Sequence, residues 1–310
     1  MELDVAVAAA HAQAVHDFLE HTSLPELPHA IGFHGQTIFH APQQKNTLQL
    51  GSAAHLAARL NLPVVADLRR ADMAQNGQGA PLASAFHHAL WGLDDVPTAV
   101  LNLGGIANLT LLARDGHTLA GYDVGPGNAL LDEWALECIG SPFDEGGRWA
   151  ASGQCLEALI DTWLSDPWFE RAPPKSTGRD YFSLAWLDRI SPGWRDHRPE
   201  DLQRSLVELT TRPVAAALSG IDRLLVCGGG AYNRSLVDSL QRHCPKAQVQ
   251  TTDAYGLPPN MVEASAFGWL ASRRILSRSG RWHLASGASR AAILGSVSLP
   301  AEPGPLGEQD

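Results

Sequence analysis

Two glycine-rich turns with small polar side chains are the stretches of this chain best suited to chemistry. The segments are Leu101-Asn-Leu-Gly-Gly-Ile-Ala-Asn108 and Gly121-Tyr-Asp-Val-Gly-Pro-Gly-Asn128, and each is a short apolar strand that ends in such a turn. Glycine allows backbone conformations closed to other residues and lets the main chain approach a ligand closely. The pair indicates a phosphate-binding cleft around one carboxylate, Asp123, although a purely structural hairpin has the same pattern.

A third glycine cluster, Val226-Cys-Gly-Gly-Gly-Ala-Tyr-Asn233, also follows an apolar strand. It lacks the G-x-G-x-x-G order of a dinucleotide-binding fold, and the chain contains no G-x-x-x-x-G-K-[ST] motif. A Rossmann dehydrogenase and a P-loop NTPase are therefore poor fits. Three separate turns after strands instead favour a ligand enclosed from several sides.

Charged residues near other turns are further candidates. Arg69, Arg70 and Asp72 directly follow a buried strand, where they either face a cleft or form surface ion pairs worth ~0–1 kcal/mol. A loop with an internal glycine contains Lys175, Ser176, Thr177 and Arg179, a composition that suits phosphate contacts but would look the same in a solvated loop. Glu263 precedes an apolar helical stretch, either as a first-turn carboxylate stabilised by the helix dipole or as a ligand contact.

Thirteen histidines raise the hypothesis of a metal site. No H-x-x-x-H pair or H-E-x-x-H motif accompanies them, so a transition-metal centre is not favoured. His34, inside a glycine turn, remains a candidate for a hydrogen bond to a ligand.

Composition is typical of a soluble globular protein in a reducing compartment. A net charge of -10 argues against nonspecific binding to nucleic acid or to an anionic membrane, because both need basic patches. The four cysteines have no C-x-x-C spacing and are expected to be buried, reduced thiols. The chain has no run of eighteen apolar residues, and its first residues are acidic, so a cytoplasmic location is expected.

A length of 310 residues predicts two domains. Strands alternate with helices, which predicts an α/β fold with largely parallel sheets and glycine turns at the carboxyl ends of the strands. A polar turn at 94–97 separates a first domain of residues 1–97, with part of 285–300, from a second domain of residues 98–284. Residues 301–310 read as a disordered tail. The principal helices are predicted at 4–20, 52–60, 129–139, 202–218, 235–243 and 261–276.

Eight segments in their order along the chain resemble the anhydro-N-acetylmuramic acid kinases of bacterial cell-wall recycling. The resemblance extends from about residue 30 to residue 295. The segments are Ile31-Gly-Phe-His-Gly-Gln-Thr37, Val64-Val-Ala-Asp-Leu-Arg-Arg-Ala-Asp72, Gly77-Gln-Gly-Ala-Pro-Leu82, Leu101-Asn-Leu-Gly-Gly105, Asp123-Val-Gly-Pro-Gly-Asn128, Pro174-Lys-Ser-Thr-Gly-Arg179, Cys227-Gly-Gly-Gly-Ala231 and Thr252-Asp-Ala-Tyr-Gly-Leu-Pro258.

The resemblance implies a two-domain sugar kinase–actin–Hsp70 architecture, RNase H-like, with ATP in an interdomain cleft. It implies ATP-dependent hydrolytic opening of the 1,6-anhydro bridge with phosphorylation of O6, with ATP and Mg²⁺ as cofactors, in a homodimer. Asp123 resembles the family's general base, and the sugar would contact Arg70, Glu263, His34 and Asp72. The nucleotide would contact Gly104, Gly105, Asn108, Gly125, Gly127, Asn128, Lys175, Gly228, Gly229 and Gly230.

One departure from the family pattern concerns the first domain. Family members begin with a strand and a Gly-Thr-Ser-Leu-Asp-Gly turn that forms the first phosphate loop, which this sequence lacks. We therefore expect the sheet of the first domain to be incomplete at its N-terminus. A start codon assigned too late is the favoured explanation, because the other motifs are intact.

Two alternatives to the kinase remain open. A truncated, non-catalytic relative would bind a sugar or a nucleotide without turning it over. A metal-dependent hydrolase built on the histidines would be active without ATP and sensitive to a chelator.

Overall fold

A computed structural model describes residues 2–112 and 119–301. The chain divides into two compact units. Unit 1 consists of Met1–Phe86 and Ala264–Asp310, and unit 2 of His87–Glu263. Apart from Ala301, the tail predicted at 301–310 lies outside the described residues.

The described residues form ten β-strands and twelve α-helices. The strands are β1 (Ile31–Gly32), β2 (Gln36–Ala41), β3 (Asn46–Leu50), β4 (Val64–Ala66), β5 (Thr98–Leu103), β6 (Ile106–Leu112), β7 (Leu119–Pro126), β8 (Arg223–Cys227), β9 (Gln248–Thr251) and β10 (Ser296–Ser298). The helices are α1 (Glu2–His21), α2 (Ala53–Leu60), α3 (Arg70–Met73), α4 (Ala83–Trp91), α5 (Ala129–Ile139), α6 (Arg148–Ser152), α7 (Glu157–Leu164), α8 (Leu184–Ile190), α9 (Pro199–Ala216), α10 (Arg234–His243), α11 (Val262–Ile275) and α12 (Trp282–Ser286). The predicted α/β fold is confirmed.

Unit 2 is built on a five-stranded sheet in the order β7-β6-β5-β8-β9. The first three strands form an antiparallel meander, and β8 and β9 run parallel to β5. Only β6 therefore opposes the other strands, which is the RNase H-like arrangement. β8 is buried along its whole length, as expected for a strand covered on both faces.

Helix α9 supports this sheet from one side. It packs against α5, α6, α7, α10 and β7. Its predicted amphipathic pattern is confirmed, with Leu202, Leu206, Val207 and Leu209 at most 1% exposed. The helix starts at Pro199, where proline is tolerated because the first-turn N–H groups have no intrahelical partner.

The segment at 165–199 forms a large part of the unit 2 core. Trp168, Phe182, Trp186 and Trp194 are fully buried and contact one another or neighbouring rings. The Trp186 Nε1–H donates to a carboxylate oxygen of Asp166 at 2.8 Å. Bonded indole N–H groups let these side chains be buried without the cost of an unpaired donor.

Unit 1 contains a three-stranded sheet in the order β1-β4-β10, together with the β2-β3 hairpin. β1 is parallel to β4 and β10 is antiparallel to it. The helix predicted at 4–20 is confirmed as α1, and its buried residues Ala8 and Ala12 belong to one cluster with Leu56 of α2. The hairpin strand β2 is mostly exposed.

The two compact units are divided at 86/87 and 263/264. The domain boundaries predicted from the sequence are at 97/98 and 284/285. The divisions fall inside α4 and α11, and a continuous helix gives no composition signal for a boundary. The assignment of the sugar to one domain and the nucleotide to the other stays a prediction.

Candidate functional site

Three polar side chains form a row across the sheet of unit 2. The strand register places Asn102 opposite Asn108, and Asn108 opposite Asp123. Directly opposed residues point to the same face of a sheet and lie within reach of each other. The Asn102 Nδ2 donates to Asn108 Oδ1 at 3.4 Å, and the Asn108 Nδ2 donates to Asp123 Oδ1. Asp123 is thus held at one end of a chain of directed hydrogen bonds.

A distant loop holds the other side of the same carboxylate. The backbone N–H of Thr177 donates to Asp123 Oδ2 at 2.8 Å, and the Asp123 N–H donates to the Lys175 carbonyl at 3.0 Å. Burial raises the pKa of Asp123, against the hydrogen bonds from Thr177 and Asn108, which lower it. A carboxylate fixed in one orientation with a raised pKa is suited to act as a general base.

A β-bulge helps to aim Asp123. The register of β6 and β7 shifts so that Ala107 faces Gly125 while Asn108 faces Asp123, which leaves Val124 without an opposite residue. Val124 is instead buried in the core. Bulges bend a strand and redirect its side chains, and they are common beside active sites.

The turn after β5 is bonded to the start of α5. The N–H groups of Gly127 and Ala129 donate to the Gly105 carbonyl at 3.0 and 3.1 Å, and that of Asn128 donates to the Gly104 carbonyl at 2.8 Å. A Cβ on Gly127 would overlap the Gly104 carbonyl oxygen, so only glycine permits this approach. The two glycine motifs recognised in the sequence are therefore one connected structure.

The third glycine cluster meets the first two. Gly228, directly after β8, has φ +79°, and a Cβ there would lie 2.8 Å from the Leu103 carbonyl oxygen. At Gly230, a Cβ would lie 2.6 Å from Leu103 Cβ and 2.9 Å from Asn128 Oδ1. Because the carboxyl ends of parallel strands lie at one edge of a sheet, these turns share that edge.

Lys175 is less available than its sequence context indicated. Its Nζ donates to the Phe169 carbonyl at 3.0 Å and lies 4.5 Å from the centre of the Trp168 ring. Burial lowers the pKa of this amine, with a smaller contribution from Arg171. Its contact with a phosphate stays a prediction.

Glu263 lies at the start of α11 and is exposed. Burial raises the pKa of the Cys227 thiol to about 12, and the Glu263 carboxylate adds to that effect. Glu263 is therefore close to the end of β8, where the third glycine turn begins.

In unit 1, His34 is paired with Arg69. The Arg69 Nε and Nη2 donate to His34 Nε2 at 3.2 and 2.8 Å, and Nη1 donates to the Gly79 carbonyl at 2.6 Å. Burial, followed by the charge of Arg69, lowers the pKa of His34 to about 4. The ring is therefore neutral at pH 7, with Nε2 as acceptor, which assigns its proton to Nδ1.

Asp72 and Arg70, both on α3, have opposite environments. Asp72 is 1% exposed, and its two oxygens accept from the Gly79 N–H at 2.8 Å and the Ser286 hydroxyl at 2.7 Å. The Arg70 side chain is 59% exposed and lies 3.5 Å from an Asp67 oxygen. Asp72 thus holds the loop at 77–79, while Arg70 presents its guanidinium to solvent.

Sequence reasoning did not single out Asn102, it considered Thr177 only for a phosphate contact, and it preferred Arg70 to Arg69. A polar Asn102 inside an otherwise buried strand is a signal that could have been used. Thr177 gives no such signal, since its contact with Asp123 is through the backbone.

Searches for metal and membrane features covered the described residues only. No group of three or more His, Cys, Asp or Glu residues in 2–112 and 119–301 could hold a metal ion. Within the same residues, no helix is long and apolar enough to cross a bilayer.

Comparison with known proteins supports one family. The family model for anhydro-N-acetylmuramic acid kinase matches residues 1–300. The anhydro-N-acetylmuramic acid kinase of Burkholderia vietnamiensis is 45% identical over 276 residues, covering 86% of this chain and 72% of that protein. That of Coxiella burnetii is 43% identical over 304 residues, covering 96% and 82%.

Among solved structures, the activator of the 2-hydroxyisocaproyl-CoA dehydratase from Clostridium difficile is similar to this chain in fold. The superposed region covers 69% of this chain and 68% of the activator chain. Its TM-score is 0.41 at 14% identity, which is too weak an overlap to indicate function. The family match does not depend on it, since it covers nearly the whole chain. The chain belongs to the anhydro-N-acetylmuramic acid kinase family.

Proposed function

We propose that this chain is an ATP-dependent kinase that opens the 1,6-anhydro bridge of anhydro-N-acetylmuramic acid and phosphorylates O6. The products are N-acetylmuramic acid 6-phosphate and ADP. Water forms a bond to C1 as the C1–O6 bond breaks, and O6 forms a bond to the γ-phosphorus as the bond to ADP breaks. The proton of the water goes to Asp123 and then to solvent. In a glycosidase a general acid protonates the departing oxygen, whereas here O6 accepts the γ-phosphoryl group instead of that proton.

The observation that carries this proposal is the environment of Asp123. Two donors, Asn108 Nδ2 and the Thr177 N–H, fix both carboxylate oxygens, while each oxygen keeps capacity for a further hydrogen bond. Burial raises the pKa of Asp123, which makes the carboxylate a stronger base. A water bonded to one of these oxygens would therefore be aligned before it attacks.

The glycine turns are proposed to bind the nucleotide. Gly104, Gly105, Gly127 and Asn128 form one bonded structure, beside which Gly228 and Gly230 pack closely. The other proposed nucleotide contacts are Asn108, Gly125, Gly229 and Lys175. ATP would enter as its Mg²⁺ complex, in which the cation is held mostly by phosphate oxygens and water and neutralises charge during transfer.

The sugar is proposed to contact Arg70, His34, Asp72 and Glu263. Arg70 has the strongest support, because the one contact of its exposed guanidinium within the described part of the chain is a long one with Asp67. The neutral His34 could accept from a sugar hydroxyl only if Arg69 releases its Nε2. For Asp72, whose oxygens both accept bonds within unit 1, we propose an indirect role through the loop at 77–79.

The non-catalytic alternative is not favoured, because the relatives compared are named as kinases and match this chain over most of its length. A cytoplasmic location, where ATP is available, and a homodimer remain part of the proposal. Size-exclusion chromatography with light scattering would test the dimer.

Incubation of the purified chain with Mg²⁺, ATP and 1,6-anhydro-N-acetylmuramic acid tests the reaction. Mass spectrometry should find a product that has gained both water and a phosphoryl group, with one ADP formed for each. A product without phosphate, or hydrolysis of ATP without sugar consumption, would contradict the proposal. Turnover without ATP that a chelator stops would favour the hydrolase instead.

A further inference from the structure

The loop at 174–179 contacts two parts of unit 2 that the proposed reaction would need at the same time. Through Lys175 and Thr177 its backbone holds Asp123, as described above. Two residues after Thr177, the side chain of Arg179 reaches the turn at Gly104–Gly105. One short loop therefore joins the proposed base to a glycine turn of the proposed nucleotide site.

The Arg179 guanidinium lies directly over Gly105. A Cβ on Gly105 would lie 2.8 Å from Arg179 Nη2 and 2.9 Å from Cζ, and it would overlap Nε. Gly105 does not have the left-handed φ that favours glycine, so its backbone could accommodate alanine. The absence of a side chain matters here because it leaves room for the guanidinium.

Arg179 has no hydrogen bond or ion pair to an acceptor among residues 2–112 and 119–301, and it is exposed. The Arg179 charge acts on Asp132, in the first turn of α5. Burial raises the pKa of Asp132 to about 6, and Arg179 opposes that rise. The Lys175 amine, by contrast, donates to the Phe169 carbonyl and packs over the Trp168 ring. In this loop the charged donor left for a ligand is therefore the guanidinium of Arg179.

We propose that Arg179 binds the phosphate chain of ATP beside the Gly104–Gly105 turn. The planar guanidinium can donate two parallel hydrogen bonds to a phosphate, which an ammonium group cannot do. Because the same loop holds Asp123, a nucleotide bound to Arg179 also restrains the base. This inference rests on the proposed function and adds a residue to it.

The test is calorimetric titration of Mg²⁺-ATP and of adenosine into the full chain and its variants. Arg179→Gln should raise the Kd for ATP about 10- to 100-fold, because hydrogen bonds to charged groups are lost, and should leave adenosine binding unchanged. Arg179→Lys should recover part of the loss. Arg189→Gln, an exposed arginine on α8, removes the same charge in the same unit and should bind ATP as the unmodified chain does.

Gly105→Ala provides a second route, since it displaces the guanidinium and keeps its charge. Its effect on ATP binding should be smaller in the Arg179→Gln background, because the two residues act through one contact. Unchanged ATP affinity in Arg179→Gln would overturn the inference, and so would an equal loss of adenosine binding. If the unmodified chain turns over its substrates while Arg179→Gln binds ATP normally, only the inference fails. Absence of ATP binding by the unmodified chain would remove the proposed function as well.

Discussion

Asn108 stands directly opposite Asp123 in the paired strands β6 and β7 and donates its amide N–H to the carboxylate. The other oxygen of Asp123 accepts from a residue 54 positions further along the chain, Thr177. The Asp123 carboxylate is thus held both by the neighbouring strand and by a distant loop. The predictions below start from this arrangement.

Asp123→Asn should reduce kcat by about 100- to 10,000-fold, because a neutral amide cannot take a proton from water. Binding of the sugar should change little, since the amide has the same shape. Kinase assays and sugar titrations measure the two effects separately. Asp161→Asn, an exposed carboxylate on α7, is the control and should have normal turnover. Near-normal kcat in Asp123→Asn would exclude Asp123 as the base.

Asn108→Ala should shift the acid limb of the pH profile of kcat/KM to higher pH. The hydrogen bond from Asn108 stabilises the ionised form and lowers the pKa of Asp123, so its removal adds to the rise caused by burial. Activity is lost as the pH falls through this pKa, because the base is then protonated. Asn102→Ala is the matched control, since Asn102 bonds to Asn108 and not to Asp123. Equal shifts in both variants would contradict the assigned role.

Thr177→Val should leave stability unchanged or raise it by up to about 1 kcal/mol. The Thr177 hydroxyl oxygen is buried and has no hydrogen-bond partner among the described residues, so its removal relieves an unpaired polar group. Thr211→Val should instead destabilise by about 1 kcal/mol, because that hydroxyl bonds to the Val207 carbonyl and to Ser239. Urea unfolding of both variants tests the contrast, and an equal loss in both would refute it.

Glu208→Gln should destabilise the protein by about 3 kcal/mol, as expected when one partner of a buried ion pair is removed. The Glu208 side chain is 3% exposed and lies within 3.2 Å of charged nitrogens of Arg204, Arg212 and Arg242. Glu157→Gln is the control, because that carboxylate is 62% exposed and should cost less than about 1 kcal/mol. Chemical unfolding at pH 7 measures both.

The same residue predicts how stability changes with acid. Burial alone would raise the pKa of Glu208, but the hydrogen bond from His243 and the charge of Arg204 outweigh it and lower the pKa to about 2. The unfolded state therefore takes up the proton first, and this contribution is complete above about pH 4.5 and lost as the pH falls towards 2. Unfolding free energies measured between pH 6 and pH 3 should fall more steeply in the unmodified chain than in Glu208→Gln. Equal slopes would contradict the assigned pKa.

The sequence by itself determined the family, the α/β alternation, several helices and the proposed base. Helix α5 matches its predicted span at 129–139, because apolar periodicity and flanking glycine or polar residues are local signals. Asp123 was recognised because its motif is contiguous. The same is true of each glycine turn.

Only the tertiary structure decided which side chains act together. The choice of Arg69 over Arg70 as the partner of His34 depends on which residues at the start of a four-residue helix face inward, and no periodicity is measurable over so few residues. Likewise, Lys175 and Arg179 are equivalent cations in the sequence. In the structure Lys175 packs over the Trp168 ring, whereas the Arg179 guanidinium lies over Gly105. Hydrogen bonds and charges act over a few ångströms of space, and separation along the chain does not reveal that distance.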